Sequence, residues 1–223
     1  MVRSDLLPRN ATEWSARQAA ETIRMWQRLL PWGLGTMKTS GTHLFHQGSA
    51  PRGIFLLERG LVKLNCALRD GQQALLSLRL PGQLVDGTGV HWLGESYPVS
   101  AIAATECRVC YVSSEAMLCA LQRNPEMAQF LLRQQCLDLY NQAVALVDSK
   151  TLNAAERFAQ FVQYLAAVLD LHRTRKPVRL VLPLSNAEIA SLLGITKEYF
   201  SRLKKQLQKQ GRFHWEGCTV VIP

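Results

Sequence analysis

Residues 185–202 read Ser-Asn-Ala-Glu-Ile-Ala-Ser-Leu-Leu-Gly-Ile-Thr-Lys-Glu-Tyr-Phe-Ser-Arg, and this stretch decides the fold of the C-terminal third of the chain. Ser185 with Glu188 three residues later forms a capping box, which predicts the start of a helix. Gly194 supplies a tight turn, and Thr196 is placed to cap a second helix. Two short helices joined by a glycine turn are typical of a helix-turn-helix.

The second helix is expected over residues 197–209, with Gly211 at its end because helices often finish on a left-handed glycine. Helical spacing places its apolar residues on one side and its polar residues on the other. The apolar side carries Phe200, Leu203 and Leu207, and the polar side carries Glu198, Ser201, Arg202 and Lys205. One side should therefore pack against the protein while the other stays free.

The polar side has the kinds of side chain that bind base edges in the major groove of DNA. Arginine bonds guanine O6 and N7, glutamate accepts from cytosine N4, and a hydroxyl bonds either kind of group. We therefore expect Glu198, Ser201 and Arg202 to contact bases. The alternative is a solvated helix surface on which Glu198 and Arg202 form an ion pair. Residues 213–222 hold two short extended runs around a Glu-Gly turn, which predicts a wing and favours base contact.

The positive charge of the chain is concentrated in the same region. The formal net charge is +9, and residues 150–223 hold 12 Lys and Arg against 5 Asp and Glu, whereas residues 1–149 hold 14 against 12. A basic module attracts phosphates, which supplies salt-dependent affinity without sequence information. We therefore expect double-stranded DNA as the partner, with Lys197 and Lys205 contacting its phosphates.

Composition excludes several other classes of protein. A chain of 223 residues, 48% of them hydrophobic, can bury two modest cores. No apolar stretch is long enough to span a bilayer and the chain starts without a secretion signal, so we expect a cytoplasmic protein with no membrane partner.

The six cysteines lack disulfide or zinc-finger spacing and are expected to be reduced, mostly as small core residues. No catalytic constellation and no metal site is visible, so we predict no enzyme.

The middle of the chain, from about residue 36 to residue 113, predicts an antiparallel barrel or jelly roll. Short β-rich runs are separated by glycines at intervals of 11 to 12 residues. The runs are 53–57, 61–65, 74–78 and 107–112, and Asp-Gly at 70–71 marks a hairpin turn. A helix is expected before the roll at 13–30, and a short one after it at 114–123.

A long helix is expected from Pro125 to about Lys150, because proline is favoured in a first helical turn. Leu132, Leu139 and Leu146 recur in it at seven-residue spacing, which indicates a two-stranded coiled coil. The alternative is that these leucines pack on the roll of their own chain. A dimer would place two recognition helices across a palindromic DNA site, about one helical turn apart.

These parts together predict an α+β chain with three units. Residues 1–124 would form an N-terminal helix and a β-roll sensor domain, 125–150 a dimerisation helix, and 151–223 a winged helix-turn-helix.

The order of the parts and several stretches resemble the Crp/Fnr family of bacterial transcription factors. The best-matched stretches are 54–63, 80–85, 149–157 and 185–210. The resemblance implies a double-stranded β-helix (jelly-roll) domain like those that bind cyclic nucleotides, a homodimer, sequence-specific transcription regulation and RNA polymerase as a partner.

Within this family, Glu198-x-x-Ser201-Arg202 looks like the recognition triplet of the Fnr branch, which implies a palindrome of TTGAT-type half-sites. Ser185 and Thr196 match family positions that hold phosphates.

The resemblance also bears on the effector. Cyclic-nucleotide binders of the family carry a Gly-Glu pair and an Arg-Ser pair, where this chain has Asp86-Gly87 and Tyr97-Pro98. Residues 80–107 contain no Lys or Arg, and a buried phosphate without a cation is costly. Asp86, Tyr97 and Gln142 would line the effector pocket, and we expect it not to bind a cyclic nucleotide.

Fnr-branch members often carry an iron-sulfur cluster held by three N-terminal cysteines and a fourth in the roll. Cys110 matches the fourth, but residues 1–65 contain no Cys, so no cluster is expected. Cys107 and Cys110 lie in a strand pattern that points them to opposite faces, which argues against a redox pair.

Haem, used by relatives that respond to nitric oxide or carbon monoxide, stays open, with His43, His46 and His91 as candidate ligands; we predict no cofactor. The alternative function is a ligand- or haem-responsive regulatory protein whose winged helix mediates protein contacts.

Overall fold

The computed structural model describes residues 16–68, 71–85, 96–169 and 177–223. Within these ranges, the elements follow in this order: α1 (Ala16–Leu29), β1 (Leu34–Lys38), β2 (His43–Phe45), β3 (Gly53–Arg59), β4 (Val62–Ala67), β5 (Gln73–Arg79), β6 (Ser100–Ala103), β7 (Cys107–Ser113), α2 (Ser114–Arg123), α3 (Pro125–Thr151), α4 (Ala154–Val168), β8 (Val178–Val181), α5 (Asn186–Leu192), α6 (Lys197–Lys209), β9 (His214–Glu216) and β10 (Thr219–Ile222). The mixed α+β class and the roll followed by a winged helix-turn-helix are confirmed.

The roll consists of two antiparallel sheets, ordered β1-β7-β3 and β2-β6-β4-β5. The four runs expected from the sequence lie within β3, β4, β5 and β7. Side chains alternate along β7: Cys107 and Val109 belong to the cluster between the sheets, and Cys110 and Val112 to the cluster beneath the helices. The two thiols therefore point to opposite faces of the sheet, as expected.

The helices around the roll cover the outer face of the β1-β7-β3 sheet. Trp26 of α1, Met117 of α2 and Met127 of α3 are fully buried there against Ile54 and other strand residues. Asn124 ends α2 and caps α3 by accepting a hydrogen bond from the Glu126 amide at 3.0 Å. The expected helix at 13–30 is present as α1 over the part that lies within the described residues, and the turn residues 69 and 70 lie outside them.

One expectation about the cysteines is wrong. Cys107 and Cys110 are buried, but Cys119, Cys136 and Cys218 are exposed. These three thiols lie on the solvent side of α2, on the solvent side of α3 and in the turn before β10, where no core is within reach. The cysteines are therefore not mostly core residues.

The C-terminal part is built around Phe158 of α4. Its ring lies 5.7 Å from the ring of Phe200, 5.3 Å from that of Phe213 and 5.6 Å from that of Trp215. These contacts join α4, α6 and the wing, whose strands form a sheet ordered β8-β10-β9. The hairpin expected at 213–222 is present, with β8 as an additional strand.

None of the described helices is long and apolar enough to cross a membrane.

Candidate nucleic-acid interface

The orientation of α6 is fixed by its apolar side. Phe200, Leu203 and Leu207 are 0%, 4% and 0% exposed, so the helix cannot rotate without opening the core. The helix begins and ends where the sequence predicts: Thr196 accepts a hydrogen bond from the Tyr199 amide at 3.2 Å, and Gly211 has a φ of +67°. The opposite side of the helix, including Glu198, Arg202 and Lys205, faces solvent.

Arg202 is positioned by an aromatic ring. Its guanidinium carbon lies 5.8 Å from the centroid of the Tyr199 ring, and that ring is 43% exposed. Among the described residues, Arg202 and Glu198 form no ion pair. The surface ion pair considered as an alternative is therefore absent, and both charged groups are available to a ligand. Sequence reasoning missed Tyr199, although its spacing of three residues from Arg202 was a signal for this contact.

Ser201 lies between the two charged residues and is half-buried. Its hydroxyl donates to the carbonyl of Lys197 at 3.0 Å, one turn earlier in the helix. This bond uses the only proton of the hydroxyl. The oxygen keeps its lone pairs, so Ser201 can accept a hydrogen bond from the amino group of a base but cannot donate one.

The candidate phosphate contacts surround this surface. Ser185 and Thr196 begin the two helices and are both exposed, as are Lys197 and Lys205. Ser185 accepts from the Glu188 amide at 3.2 Å, so the capping box predicted from the sequence is formed. The first turn of α6 also presents unpaired amides and the positive end of the helix dipole, which favour an anion. Lys204 instead lies 5.2 Å from the Trp215 ring centroid, against the wing.

The helix α5 is hydrogen-bonded to the roll. Lys63 of β4 donates to one oxygen of Glu188 at 2.7 Å, while the Ser185 amide donates to the other oxygen at 2.7 Å. Ser191 donates to the carbonyl of Leu75 on β5 at 3.1 Å. Burial alone would raise the pKa of Glu188, but the bonds from Lys63 and Ser185 outweigh burial and hold that pKa below its ordinary value.

A second set of polar contacts joins the roll to α3 and α4. Arg79 of β5 pairs with Asp138 of α3 at 2.9 Å, and both side chains are less than one-fifth exposed. Gln83 donates to the Tyr164 hydroxyl of α4 at 3.2 Å. Burial raises the pKa of Tyr164 to about 12. Burial also raises the pKa of Asp138, against the attraction of Arg79. The roll, α3 and α4 are therefore linked by side chains that are largely shielded from water.

The leucine row of α3 is exposed. Leu132, Leu139 and Leu146 are 65%, 68% and 57% exposed, and Cys136 and Ala143 on the adjoining row are exposed as well. The three leucines therefore do not pack on the roll of their own chain, which removes the alternative considered for them. An apolar row of this length in water indicates a surface that another molecule covers.

The structure describes two of the three expected effector residues, Tyr97 and Gln142. Tyr97 is 3% exposed, its ring is stacked on Phe45 at 3.9 Å, and its hydroxyl donates to the Gly53 carbonyl at 3.2 Å. Gln142 is exposed on α3, and Asp86 lies outside the described residues. An aromatic pair thus fills part of the interior of the roll near the position where the family resemblance places the phosphate-binding arginine.

Two of the three candidate haem ligands, His43 and His46, lie next to each other. His43 and His46 stack on each other with centroids 4.1 Å apart, and His91 lies outside the described residues. Partial burial and the neighbouring His46 lower the pKa of His43. No group of three or more potential metal ligands occurs among the described residues.

Comparison with known proteins identifies the two halves of the chain. The cyclic nucleotide-binding domain family matches residues 39–124, and the Crp-like helix-turn-helix domain family matches residues 156–223. The chain belongs to the Crp/Fnr family. It is therefore a Crp/Fnr-type DNA-binding transcription regulator, and the interface on α6 lies in its DNA-binding domain. The members it resembles are transcription regulators, not enzymes.

Several regulators are similar to this Crp/Fnr member over most of their length. The transcriptional activator protein anr of Pseudomonas aeruginosa is 29% identical over 184 residues, which cover 82% of this chain and 73% of that protein. The nitrogen fixation regulation protein FixK of Azorhizobium caulinodans is 27% identical, and the matched residues cover 96% of this chain and 87% of that protein. The solved structure of FixK2 from Bradyrhizobium japonicum superposes with a TM-score of 0.70 at 21% identity, over 85% of this chain and 92% of that one.

Proposed function

We propose that this Crp/Fnr regulator acts as a homodimer that binds a palindrome of TTGAT-type half-sites through Glu198, Ser201 and Arg202. The exposed side of α6 supports the proposed base contacts, because Glu198 and Arg202 lie there and form no ion pair with described residues. A guanidinium held over the Tyr199 ring keeps its donors available for guanine. Ser185, Thr196, Lys197 and Lys205 would bind phosphates around the groove.

The dimer part of the proposal is supported by α3. Exposed leucines at seven-residue spacing fit the seam of a two-stranded coiled coil, with Cys136 and Ala143 on the second row of the same seam. We keep the division into a sensor (1–124), a dimerisation helix (125–150) and a DNA-binding domain (151–223) as part of the proposal.

A location in the cytoplasm, contact with RNA polymerase and the absence of enzymatic activity belong to the proposal too. We also propose that the chain works without a cyclic nucleotide, an iron-sulfur cluster or a metal; haem stays the open alternative.

Arg202→Ala tests the base contacts. Binding to a TTGAT palindrome should weaken by about 1–3 kcal/mol per half-site, and discrimination at the guanine should relax, because a bidentate contact is lost. Lys209→Ala, at the exposed end of the same helix, removes the same charge and should leave discrimination intact. Gel shifts on the palindrome and on single-base variants measure both effects. Unchanged binding by Arg202→Ala would favour the alternative in which the winged helix contacts a protein.

Leu139→Glu tests the dimer. A charge at the centre of the seam should convert the dimer to a monomer in sedimentation and weaken binding to the full palindrome far more than binding to a half-site. Leu118→Glu, on an exposed position of α2, is the matched control and should stay dimeric. Cys136 gives an independent readout, since oxidation should link two chains through it in the parent protein and not in Leu139→Glu. A parent protein that sediments as a monomer contradicts the proposal.

A further inference from the structure

The helix α1 contacts two separate hydrophobic clusters with one row of side chains. The row recurs at intervals of three or four residues and consists of Ala19, Ile23, Trp26 and Leu30. Ala19 is 4% exposed and belongs to the cluster that contains Phe158 of α4. Trp26 and Leu30 are fully buried in the cluster between the roll, α2 and α3. The helix therefore lies against the roll and, in direct contact with α4, against the DNA-binding domain.

The C-terminal half of α1 is the part attached to the roll. The Trp26 ring lies 5.8 Å from the ring of Phe130 on α3, and an indole buried in this way contributes a large apolar area. Gln27 donates a hydrogen bond to Glu58 of β3 at 2.9 Å. The N-terminal half instead lies over α4, where Ala19 brings only a methyl group into the contact. The attached half thus carries the other half onto the DNA-binding domain.

This contact is separate from the one made by α5. The bonds of α5 go to Lys63 and Leu75, which lie in the β2-β6-β4-β5 sheet. The helix α1 covers the outer face of the other sheet, β1-β7-β3, and meets the domain at α4. A domain held at one place can pivot there, whereas a second contact from a different sheet opposes rotation. The orientation of α4 also sets that of α6, because the rings of Phe158 and Phe200 are 5.7 Å apart.

We propose that α1 is a strap that holds the DNA-binding domain in a fixed orientation on the roll, and that it acts on α4 through Ala19. A palindrome is bound by two domains at once, so the second binding event is intramolecular and is favoured when the domain cannot rotate away. A single half-site needs only one domain. The strap is a property of one chain, and its effect on DNA binding rests on the dimer and palindrome proposed above.

Ala19→Glu tests the strap, because a carboxylate without a partner is costly in a buried contact and should release α4. Ala20→Glu makes the same charge change at the next, exposed position and is the matched control. In gel shifts at constant salt, Ala19→Glu should bind a TTGAT palindrome about tenfold more weakly, as expected if the correctly oriented population falls to about one-tenth. It should bind a single half-site like the parent, and Ala20→Glu should match the parent on both DNAs.

A milder substitution tests the contact without a buried charge. The thiol of Ala19→Cys should react with iodoacetamide at least about tenfold more slowly than the thiol of Ala20→Cys, because only position 19 is covered. Mass spectrometry of the tryptic peptide 18–24, which contains no natural cysteine, measures both rates.

The proposal is overturned by an Ala19→Glu variant that binds the palindrome like the parent. Equal losses on the palindrome and the half-site by a variant that stays folded in urea denaturation, or equal reaction rates of the two thiols, would overturn it as well. If Ala19→Glu does not fold, the thiol rates decide. A parent protein that binds the palindrome no more tightly than a half-site contradicts the proposed dimer function instead, and the thiol rates then decide on the strap by themselves.

Discussion

The two helices of the helix-turn-helix differ in what holds them. α5 is bonded to the rest of the protein at both ends: Lys63 binds Glu188 near its start, and Arg157 of α4 donates to the Leu193 carbonyl at its end, at 2.8 Å. α6 is held by its buried apolar row, while its charged side faces solvent and Arg202 rests on Tyr199 of the same helix. We therefore propose that α5 sets where the domain sits on the roll and that α6 makes the base contacts.

Removal of the bond between β4 of the roll and α5 should have the largest effect on stability. Lys63→Met leaves the Glu188 carboxylate without its cation in a site where the two side chains are only 19% and 24% exposed. The free energy of unfolding should fall by about 1.5–3 kcal/mol, the usual contribution of a hydrogen bond to a charged group. Urea denaturation measures this loss, and base discrimination in gel shifts should not change.

Lys205→Met is the matched control on the other helix. Lys205 is exposed on α6, so the substitution should leave stability unchanged, weaken binding to all DNA sequences similarly and lower the salt dependence of binding by about one ion. If Lys63→Met alters discrimination between bases, or Lys205→Met lowers stability, the two helices do not have separate roles.

Tyr199→Leu should have a smaller effect, confined to DNA. Loss of the ring beneath Arg202 should weaken binding to the preferred site by about 0.5–1 kcal/mol, as expected for an exposed cation–π contact, without changing the free energy of unfolding. The effect should vanish when Arg202 is already alanine, which a double-mutant cycle of gel-shift affinities measures. Additive losses would mean that Tyr199 contacts DNA by itself.

The two helices also differ in how far the sequence predicts them. The ends and the buried row of α6 follow from local signals, namely Thr196, the spacing of Phe200, Leu203 and Leu207, and Gly211. The bond from Lys63 to Glu188 joins residues 125 positions apart, and no local pattern encodes it. Glu188 was identified only as a capping residue, because the capping box is local and the approach of β4 depends on how the whole roll packs.

In the roll, too, some features follow from local sequence signals and others do not. Regular glycine spacing predicts the roll, since turns must recur in an antiparallel sheet. The stacking of Tyr97 on Phe45 joins residues more than 50 positions apart and depends on long-range packing, which no local pattern encodes. The exposure of Cys119, Cys136 and Cys218 was missed for the same reason: composition predicts how often a residue type is buried, not which copy is buried.

The pH dependence of stability provides the smallest expected effect and tests the α5 contact in a different way. The pKa of Glu188 lies below its ordinary value of 4.5 in the folded chain, so the unfolded chain binds this proton more readily. The stabilisation from Glu188 should therefore be complete above that ordinary value and be lost as the pH falls through the lower, folded value. Glu188→Gln keeps an acceptor for the capping box and for Lys63 but cannot titrate, so the difference in unfolding free energy between parent and variant should shrink on acidification.

Asp138, whose pKa is raised by burial, is present in both proteins, and its opposite pH dependence cancels from the difference. A difference that stays constant from neutral pH to well below 4.5 would show that the Lys63 bond does not depend on the charge of Glu188, and the contact between the roll and α5 would then be one of shape alone.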